Sequence, residues 1–147
     1  MKNAPTEHFD VLIVGAGISG IGGAYHLLQD CPDKSFVILE TMDDFGGTWK
    51  THTYPGIRSD SDMHTLGYSF KPWLEAKAIA DGPSILNYVR ETALEYQIEN
   101  KIRFGHRVVR SEWSSETSKW LISAQLVGDK KIVQFECNFL HVCAGYY

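Results

Sequence analysis

Long apolar runs are missing from this sequence. None approaches the roughly 20 residues of a membrane-spanning helix, and the polar N-terminal segment Met1–His8 lacks the hydrophobic core of a signal peptide. Clusters of lysine and arginine are also missing, and the net charge is −4. These features argue against a transmembrane segment and against a surface for nucleic acid or anionic lipid. We therefore expect small-molecule partners and no nucleic acid.

Metal-ligand and disulfide patterns are absent as well. Cys31, Cys137 and Cys143 are odd in number and show no C-x-x-C spacing, so neither a disulfide framework nor a zinc site is predicted. The six histidines have no H-E-x-x-H or other paired-ligand spacing, which favours surface or packing roles. We expect no metal, and we interpret the cysteines as reduced thiols of a cytoplasmic protein.

The chain offers one phosphate-binding pattern, and it opens the sequence. An apolar strand at Phe9–Val14 leads into Gly15-Ala-Gly17-Ile-Ser-Gly20, and a helical pattern follows from about Ile18. In such a turn the first glycine allows a sharp bend, the second lets a pyrophosphate approach the backbone, and the third lets the helix pack closely on the sheet. The diphosphate would lie at the helix N-terminus, where unpaired N–H groups and the helix dipole stabilise anionic oxygen.

An acidic residue stands where this pattern requires one. Phe36–Leu39 is a second buried strand, and Glu40 follows it twenty residues after Gly20. A carboxylate there can accept hydrogen bonds from ribose hydroxyls and repel a 2′-phosphate. The stretch predicts a βαβ unit that binds an adenosine diphosphate with free ribose hydroxyls, as in FAD or NAD. An ordinary tight turn is the alternative, which the strand and the acidic residue disfavour.

A second glycine pair lies just beyond the ribose-binding strand. Gly46 and Gly47 permit another close backbone approach, and Thr48 and Trp49 add a hydroxyl and a flat ring. This suits a cofactor that extends past its ADP half, although a glycine-rich surface loop with one buried tryptophan is the alternative.

The rest of the chain is interpreted as scaffold. Gly82-Pro83 begins a helix whose apolar residues repeat at helical spacing, and Ile102–Phe104 is a short strand of the parallel sheet. Three strands of a meander follow, at Val108–Trp113, Trp120–Leu126 and Ile132–Cys137, and Phe139–Cys143 is expected to return as a separate buried strand. Trp113 and Trp120 are expected to make a cross-strand contact.

Taken together, the motifs resemble a known family. They are Gly15-x-Gly17-x-x-Gly20, Glu40, Gly46-Gly47-Thr48-Trp49, and Tyr54-Pro-Gly-Ile-Arg58-Ser-Asp60 with its continuation to Tyr68. This set is similar to the N-terminal FAD-binding part of class B flavoprotein monooxygenases, and most similar to the bacterial flavin-containing and Baeyer–Villiger enzymes of the ethionamide-activating type. The resemblance covers nearly the whole chain.

The resemblance implies an α/β fold. It is a Rossmann-like FAD-binding domain of the glutathione-reductase type, with a parallel sheet and a three-stranded β-meander. Residues 1–147 would be the N-terminal part of that domain, with the NADPH domain and the C-terminal part absent. The exposed edge of such a truncated sheet could drive self-association.

The resemblance also implies a chemistry. NADPH would reduce FAD, and the reduced flavin would take O2 to give a C4a-peroxyflavin that oxygenates a ketone, a sulfide or a thioamide. Asp60 would lie near the isoalloxazine, with Arg58 positioning it. The other cofactor-binding residues implied are Gly15, Gly17, Ile18, Ser19, Gly20, Glu40, Gly47, Thr48, Trp49, Val108 and Gly145.

Several family features have no counterpart here. The sequence has no second G-x-G-x-x-G, no F-x-G-x-x-x-H-x-x-x-W-P fingerprint and no later arginine beside the flavin, so no catalytic residue is assigned and no turnover is expected from this chain alone. Two other classes stay open at this stage, a nucleotide-binding module without turnover and an NAD-linked Rossmann oxidoreductase. Dithiol chemistry is disfavoured because Trp49 stands where a disulfide reductase has cysteine.

Overall fold

The first elements form the predicted β-α-β unit. The computed structural model describes residues 6–147, so the first five residues of the polar tail lie outside the described part. Strand β1 spans Glu7–Val14, helix α1 spans Ile18–Asp30 and strand β2 spans Phe36–Leu39. β2 lies parallel to β1 with Val11 opposite Phe36. β1 therefore begins two residues earlier than predicted.

Two glycines inside α1 are explained by bulky neighbours. A Cβ on Gly22 would lie 3.0 Å from the ring of Tyr68, and one on Gly23 would lie 3.1 Å from the ring of His141. Glycine lowers helix propensity by about 1 kcal/mol relative to alanine, so a helix with two of them needs a packing reason. The rings of Tyr68 and His141 supply it, one from each side of the helix's first turns.

The remaining chain adds three helices and four strands. They are α2 (Thr48–Thr51), α3 (Met63–Leu66), α4 (Gly82–Glu95), β3 (Ile102–Arg103), β4 (His106–Ser114), β5 (Lys119–Leu126) and β6 (Ile132–Val142), with a 3₁₀ turn at Ile98–Lys101. The sheet order is β3-β2-β1-β6-β5-β4. The first four strands in that order are parallel, and β6, β5 and β4 are antiparallel. The predicted parallel sheet with a three-stranded meander is confirmed.

The prediction of two separate strands near the C-terminus is wrong, because β6 is continuous from Ile132 to Val142. Its first half pairs with β5, and it also pairs with β1 as far as Val142. Asn138, which lies between the two predicted strands, donates from Nδ2 to Asp10 Oδ1 at 3.3 Å. The second half is not buried as predicted, since Phe139 and Val142 are 61% and 65% exposed.

Two hydrophobic cores lie on opposite faces of the parallel strands. Alternate residues of β1 divide between them, with Val11 and Ile13 in one core and Leu12 in the other. The first core is shared with α1 and α4. The second is shared with Ile122 and Phe135 of the meander, so the meander curves back under the parallel strands. The chain therefore has a helix layer, a parallel layer and a meander layer.

Helix α4 begins as its proline predicts. Pro83 occupies the first turn, and the N-cap residue Asp81 accepts a hydrogen bond from the Ser84 N–H at 2.9 Å. Ile85 and Val89 are fully buried on its inner face. Leu94 was predicted to join that face but is 55% exposed, because it lies outside the stripe that Ile85 and Val89 define.

The expected tryptophan pair lies beside the turn that joins β4 to β5. Trp113 of β4 and Trp120 of β5 are directly opposite in register. Their rings are 5.6 Å apart between centroids and meet edge to face. This is the geometry in which aromatic pairs stabilise a sheet, so the predicted packing role is confirmed.

Candidate dinucleotide-binding site

The glycine turn lies where β1, β2 and β6 end. The Gly15 N–H donates to the Leu39 carbonyl at 2.9 Å, and the Cys143 N–H donates to the Val14 carbonyl at 2.8 Å. Gly15 has φ +101°, and a Cβ there would lie 2.6 Å from the Cys143 carbonyl oxygen. Only glycine fits at this point. The turn is thus clamped at the carboxyl edge of the sheet, where open α/β sheets bind their ligands.

Gly20 fixes the distance between α1 and the turn. A Cβ on Gly20 would lie 1.9 Å from the Gly15 carbonyl oxygen. No side chain can be accommodated there without moving the helix. This is the packing role that the sequence predicts for the third glycine of the pattern.

The two glycine loops touch through their backbones. A Cβ on Gly17 would lie 3.4 Å from the Gly47 Cα, and a Cβ on Gly47, which has φ +55°, would lie 2.9 Å from the Gly17 Cα. The Gly46 N–H also donates to the Ala16 carbonyl at 2.9 Å. The second glycine pair is therefore part of the same site as the first, and the alternative of an unrelated surface loop is excluded.

Unpaired backbone donors collect at this junction. Gly17 precedes α1 without a capping side chain, and Ile18, Ser19 and Gly20 form the first turn of the helix, whose N–H groups have no partner within the helix. Across residues 6–147, neither these four N–H groups nor that of Gly47 donates to a carbonyl or a side chain. Such a set of donors at a helix N-terminus suits the oxygens of a diphosphate.

Glu40 joins the turn to the end of β2. Its side chain is 8% exposed, and its Oε2 accepts from the Ala16 N–H at 2.7 Å while Oε1 accepts from the Met42 N–H at 2.8 Å. A carboxylate has about four acceptor sites, so capacity remains for ribose hydroxyls. Sequence reasoning assigned this residue to the ribose alone and missed its role in shaping the turn.

Asp44 holds the second glycine loop. It forms ion pairs with Arg90 of α4 and with Lys50 of α2, the latter at 3.3 Å, and it accepts from the Phe45 N–H at 2.9 Å. Burial alone would raise its pKa, but the hydrogen bonds from Arg90 and Lys50 outweigh that effect and the pKa of Asp44 lies below its ordinary 3.8. Sequence reasoning missed this residue because its partner is 46 positions away.

Val108 lies close to the same edge. The His106 N–H donates to the Glu40 carbonyl at 2.8 Å, and β4 continues from there to Val108, which pairs with Ala124 and is half-buried. The strand is irregular directly after Val108. The structure thus brings His106 of β4 to Glu40, while Val108 packs against the meander-side core, and a cofactor contact by Val108 stays a prediction.

The flavin-side residues are more dispersed. Thr48 and Trp49 open α2 directly after Gly47, and Trp49 packs partly into the helix-side core. Arg58 and Asp60 are exposed, and the ion pairs of residues 6–147 do not include one between them. The role predicted for Arg58 in positioning Asp60 thus has no contact to support it here.

Asp60 and the C-terminal residues lie near one another. The pKa of the Tyr147 phenol is raised, first by a hydrogen bond with Tyr146 and to a smaller extent by the Asp60 carboxylate. Gly145 is exposed with φ +74°, and no atom lies within 4 Å of the position of a Cβ. Its conformation satisfies the simple role of a turn glycine. A cofactor contact by Gly145 stays a prediction.

Metal and thiol chemistry find no site in the described residues. Across positions 6–147 no group of three His, Cys, Asp or Glu side chains is placed to hold a metal ion. In the same range no helix is long and apolar enough to cross a membrane. Burial raises the pKa of the Cys137 thiol to about 11 and also raises that of Cys143, so both thiols stay protonated at neutral pH.

The fold is that of a Rossmann-like α/β domain, the class whose members bind dinucleotides at such a turn. The family described as "NAD(P)-binding Rossmann-like domain" matches residues 13–79. That range contains both glycine loops and Glu40.

Comparison with known proteins narrows this class. The chain is 57% identical over 142 residues to the FAD-containing monooxygenase EthA of Mycolicibacterium smegmatis, covering 97% of this chain and 28% of that protein. It is 49% identical to the probable FAD-binding monooxygenase AlmA of an Acinetobacter species, covering 96% of this chain and 28% of that protein. Among solved structures, a steroid monooxygenase bound to NADP matches with a TM-score of 0.82 and 30% identity, over 94% of this chain and 26% of that one.

The chain is therefore a homologue of the FAD-containing monooxygenases, and the resemblance predicted from its motifs is confirmed. It spans a little over a quarter of the length of the relatives it matches, 28% in both cases above. The roles of the individual site residues are predictions that rest on the geometry of the two glycine loops and Glu40.

Alanine at the two touching glycines should have different effects on folding. At Gly17, with φ −81°, a Cβ would make an ordinary 3.4 Å contact, so we expect Gly17→Ala to change the free energy of unfolding by less than about 1 kcal/mol. At Gly47 the positive φ and the 2.9 Å approach predict a loss of about 1–3 kcal/mol for Gly47→Ala. Urea denaturation measures both, and equal losses would contradict the backbone contact.

Removing the Asp44 charge should loosen the second glycine loop. Asp44 is 24% exposed and its two cationic partners are 31–39% exposed, so solvent screening limits the expected loss for Asp44→Asn to about 1 kcal/mol at pH 7. Because the folded-state pKa is depressed, this stabilisation is present above the unfolded-state pKa and is lost as pH falls through the folded-state value.

Urea titrations at several pH values check this linkage. The stability difference between the wild-type chain and Asp44→Asn should shrink from about pH 5 downward. The matched control is Asp33→Asn, which removes an exposed ion pair with Lys34 far from the site and should leave stability nearly unchanged at every pH. A difference that stays constant down to pH 2 would contradict the assignment.

Proposed function

We propose that this chain binds FAD through its adenosine-diphosphate half. The observation that carries the proposal is the group of unpaired N–H donors where the Gly17 and Gly47 backbones meet. The first loop alone would suit NAD equally well. The second loop, joined to the first, favours a cofactor that continues beyond its diphosphate, and the FAD-containing relatives support that choice.

Each part of the site then has a role. The diphosphate oxygens accept hydrogen bonds from the N–H groups of Gly17, Ile18, Ser19 and Gly20, and Glu40 accepts from the ribose hydroxyls while it holds Ala16. The resemblance adds Gly15, Gly47, Thr48, Trp49, Val108 and Gly145 as further cofactor contacts and places Asp60 near the flavin ring, with Arg58 as a second flavin-proximal candidate. The backbone N–H groups suit a diphosphate, because donors at a helix N-terminus stabilise anionic oxygen without a lysine or an arginine.

For a longer protein that contains this part, we propose NADPH- and O2-dependent oxygenation of a ketone, a sulfide or a thioamide. The names of the relatives support monooxygenase activity, and the NADP-bound steroid monooxygenase supports the nicotinamide cofactor. When bound, FAD would supply the redox chemistry and the reaction with oxygen. The residues of this chain bind and orient it. The 147 residues by themselves are expected to bind FAD without turnover.

Two other properties are proposed, a cytoplasmic location and self-association. The three cysteines are free, which suits a reducing compartment, and we infer a cytoplasmic location.

Among the described strands, the second half of β6 pairs with β1 and not with β5, so its other edge presents open backbone groups beside the exposed Phe139 and Val142. We infer that a second copy of the chain pairs there. Sedimentation velocity over a range of concentrations would show a mass that rises with concentration.

Direct titration tests the cofactor proposal. Adding FAD to the purified 147-residue chain should quench flavin fluorescence to saturation, and ADP should compete because it shares the proposed contacts. An NAD-linked dehydrogenase would instead bind NADH in preference to FAD. Sustained NADPH oxidation with sulfoxide formation from a simple sulfide would overturn the expectation of binding without turnover.

Glu40 is the most informative residue for the ribose contact. Hydrogen bonds to a charged group contribute about 1.5–3 kcal/mol, so Glu40→Ala should weaken FAD binding roughly tenfold or more. Glu40→Ala also leaves the Ala16 N–H without its acceptor, so the variant should be less stable as well. Glu40→Gln keeps an amide oxygen for Ala16 and removes the charge, while its NH2 group replaces the acceptor of the Met42 N–H. FAD affinities that are unchanged in both variants would show that the ribose assignment is wrong.

Gly17→Ala tests the diphosphate contact independently of folding. Its Cβ is tolerated by Gly47 but lies at the junction of the unpaired donors. We expect FAD and ADP binding to weaken at least about tenfold in a variant of near wild-type stability. Normal binding by a stable Gly17→Ala chain would exclude the junction as the diphosphate site.

A further inference from the structure

A tyrosine from a distant segment is bonded to the first turn of α1. The Tyr68 hydroxyl donates to the Ile18 carbonyl at 2.5 Å, across 50 positions of sequence. Ile18 is the first residue of the helix and follows Gly17 directly. Tyr68 itself comes just after α3, in the segment that continues from the loop of Arg58 and Asp60.

The ring of Tyr68 is held in place from several sides. It stacks on Phe70 at 4.8 Å and on Tyr88 at 5.6 Å between centroids. Its backbone N–H donates to the Tyr88 hydroxyl at 2.7 Å, and that hydroxyl donates to the Lys71 carbonyl at 2.5 Å. The other side of the ring rests on Gly22, where a Cβ would lie 3.0 Å from it. The hydroxyl therefore has little freedom to leave Ile18.

The Tyr68 hydroxyl also keeps its proton, and so remains a hydrogen-bond donor, at neutral and mildly alkaline pH. Burial raises the pKa of the Tyr68 phenol above its ordinary value, and Tyr88 adds to the effect. A neutral phenol carries the proton that this bond requires. The bond to Ile18 is therefore present at neutral and mildly alkaline pH.

The Ile18 carbonyl does not need this bond to be satisfied. In an α-helix it accepts from the N–H four residues later, so the tyrosine adds a second donor to an acceptor that already has one. The effect of the added bond is positional. It fixes the first turn of α1 to the segment around Tyr68, and the unpaired N–H groups of that turn move with it.

We propose that Tyr68 is a positioning residue for the cofactor, whose hydroxyl aligns the first turn of α1 with the segment that follows the Arg58–Asp60 loop. The inference rests on the proposed FAD binding and deepens it. The contact sets the relative placement of the diphosphate donors and the loop expected near the flavin. A cofactor that spans both would bind best when that placement is fixed in advance.

Tyr68→Phe removes the hydroxyl and keeps the stacked ring. A hydrogen bond of ordinary strength corresponds to about three- to tenfold in affinity, so we expect FAD, which spans both parts, to bind three- to tenfold more weakly to the purified chain, and ADP, which reaches only the diphosphate donors, to keep its affinity within about twofold. Tyr88→Phe is the matched control, because it removes the hydroxyl that holds the Tyr68 backbone N–H and keeps the Tyr68 hydroxyl that reaches Ile18. It should leave both affinities within about twofold of the wild-type chain.

Fluorescence titration with FAD, competition by ADP and thermal unfolding of the cofactor-free chain are measured for all three proteins. A Tyr68→Phe variant with a lower Tm but wild-type affinities would overturn the proposal, because the bond would then only stabilise the fold. Equal losses in Tyr68→Phe and Tyr88→Phe would overturn it too, since they would act through the stack. Equal losses for FAD and ADP would overturn it as well, because the bond would then act on α1 alone and not on its alignment with the loop expected near the flavin. If the wild-type chain binds neither ligand, the proposed function itself fails; if it binds both and Tyr68→Phe matches it, only the positioning role fails.

Discussion

The backbone contact between Gly17 and Gly47 is the constraint on which the rest of this structure depends. Two loops from different parts of the chain can approach this closely only if neither has a side chain at the contact. Other elements hold each loop in place. The ends of β1, β2 and β6 hold the first loop, and α4 holds the second through the ion pair of Arg90 with Asp44. The three layers of the fold serve to hold these anchors at fixed distances.

Two buried or half-buried carboxylates complete this arrangement in different ways. Glu40 uses both oxygens on backbone N–H groups, one in each direction from β2, so its charge is stabilised by the strong hydrogen bonds that carboxylates form with amides. Asp44 instead relies on two cations on separate helices. Glu40 therefore contacts the glycine turn directly, whereas Asp44 affects the site only by holding the second glycine loop in place. A ligand ribose would meet a carboxylate that is already oriented.

Local patterns predicted most of the fold. Phe9–Val14, the glycine turn and Glu40 were placed by period and spacing alone, and Pro83 marked the start of α4. The errors arose where burial depends on distant residues. Asn138, which separates the two strands expected from the sequence, bonds to Asp10, which lies 128 positions away, and Leu94 has helical spacing but lies outside the buried face of α4. Asp44 and Tyr68 were missed for the same reason, since their partners Arg90 and Ile18 lie 46 and 50 positions away.

Binding and chemistry are separable in such a site. The proposed adenosine-diphosphate contacts come from β1, α1, β2, β4 and the two glycine loops, and every one of these elements is tied to another by hydrogen bonds or ion pairs among the described residues. Asp60 and Arg58, by contrast, are exposed and lack such ties to the glycine turn. The proposed nucleotide end is therefore preorganised by contacts among the described residues, while Tyr68 gives the segment that follows Arg58 and Asp60 a direct bond to α1. That difference favours the two glycine loops, rather than Arg58 and Asp60, as the place where the proposed nucleotide affinity resides.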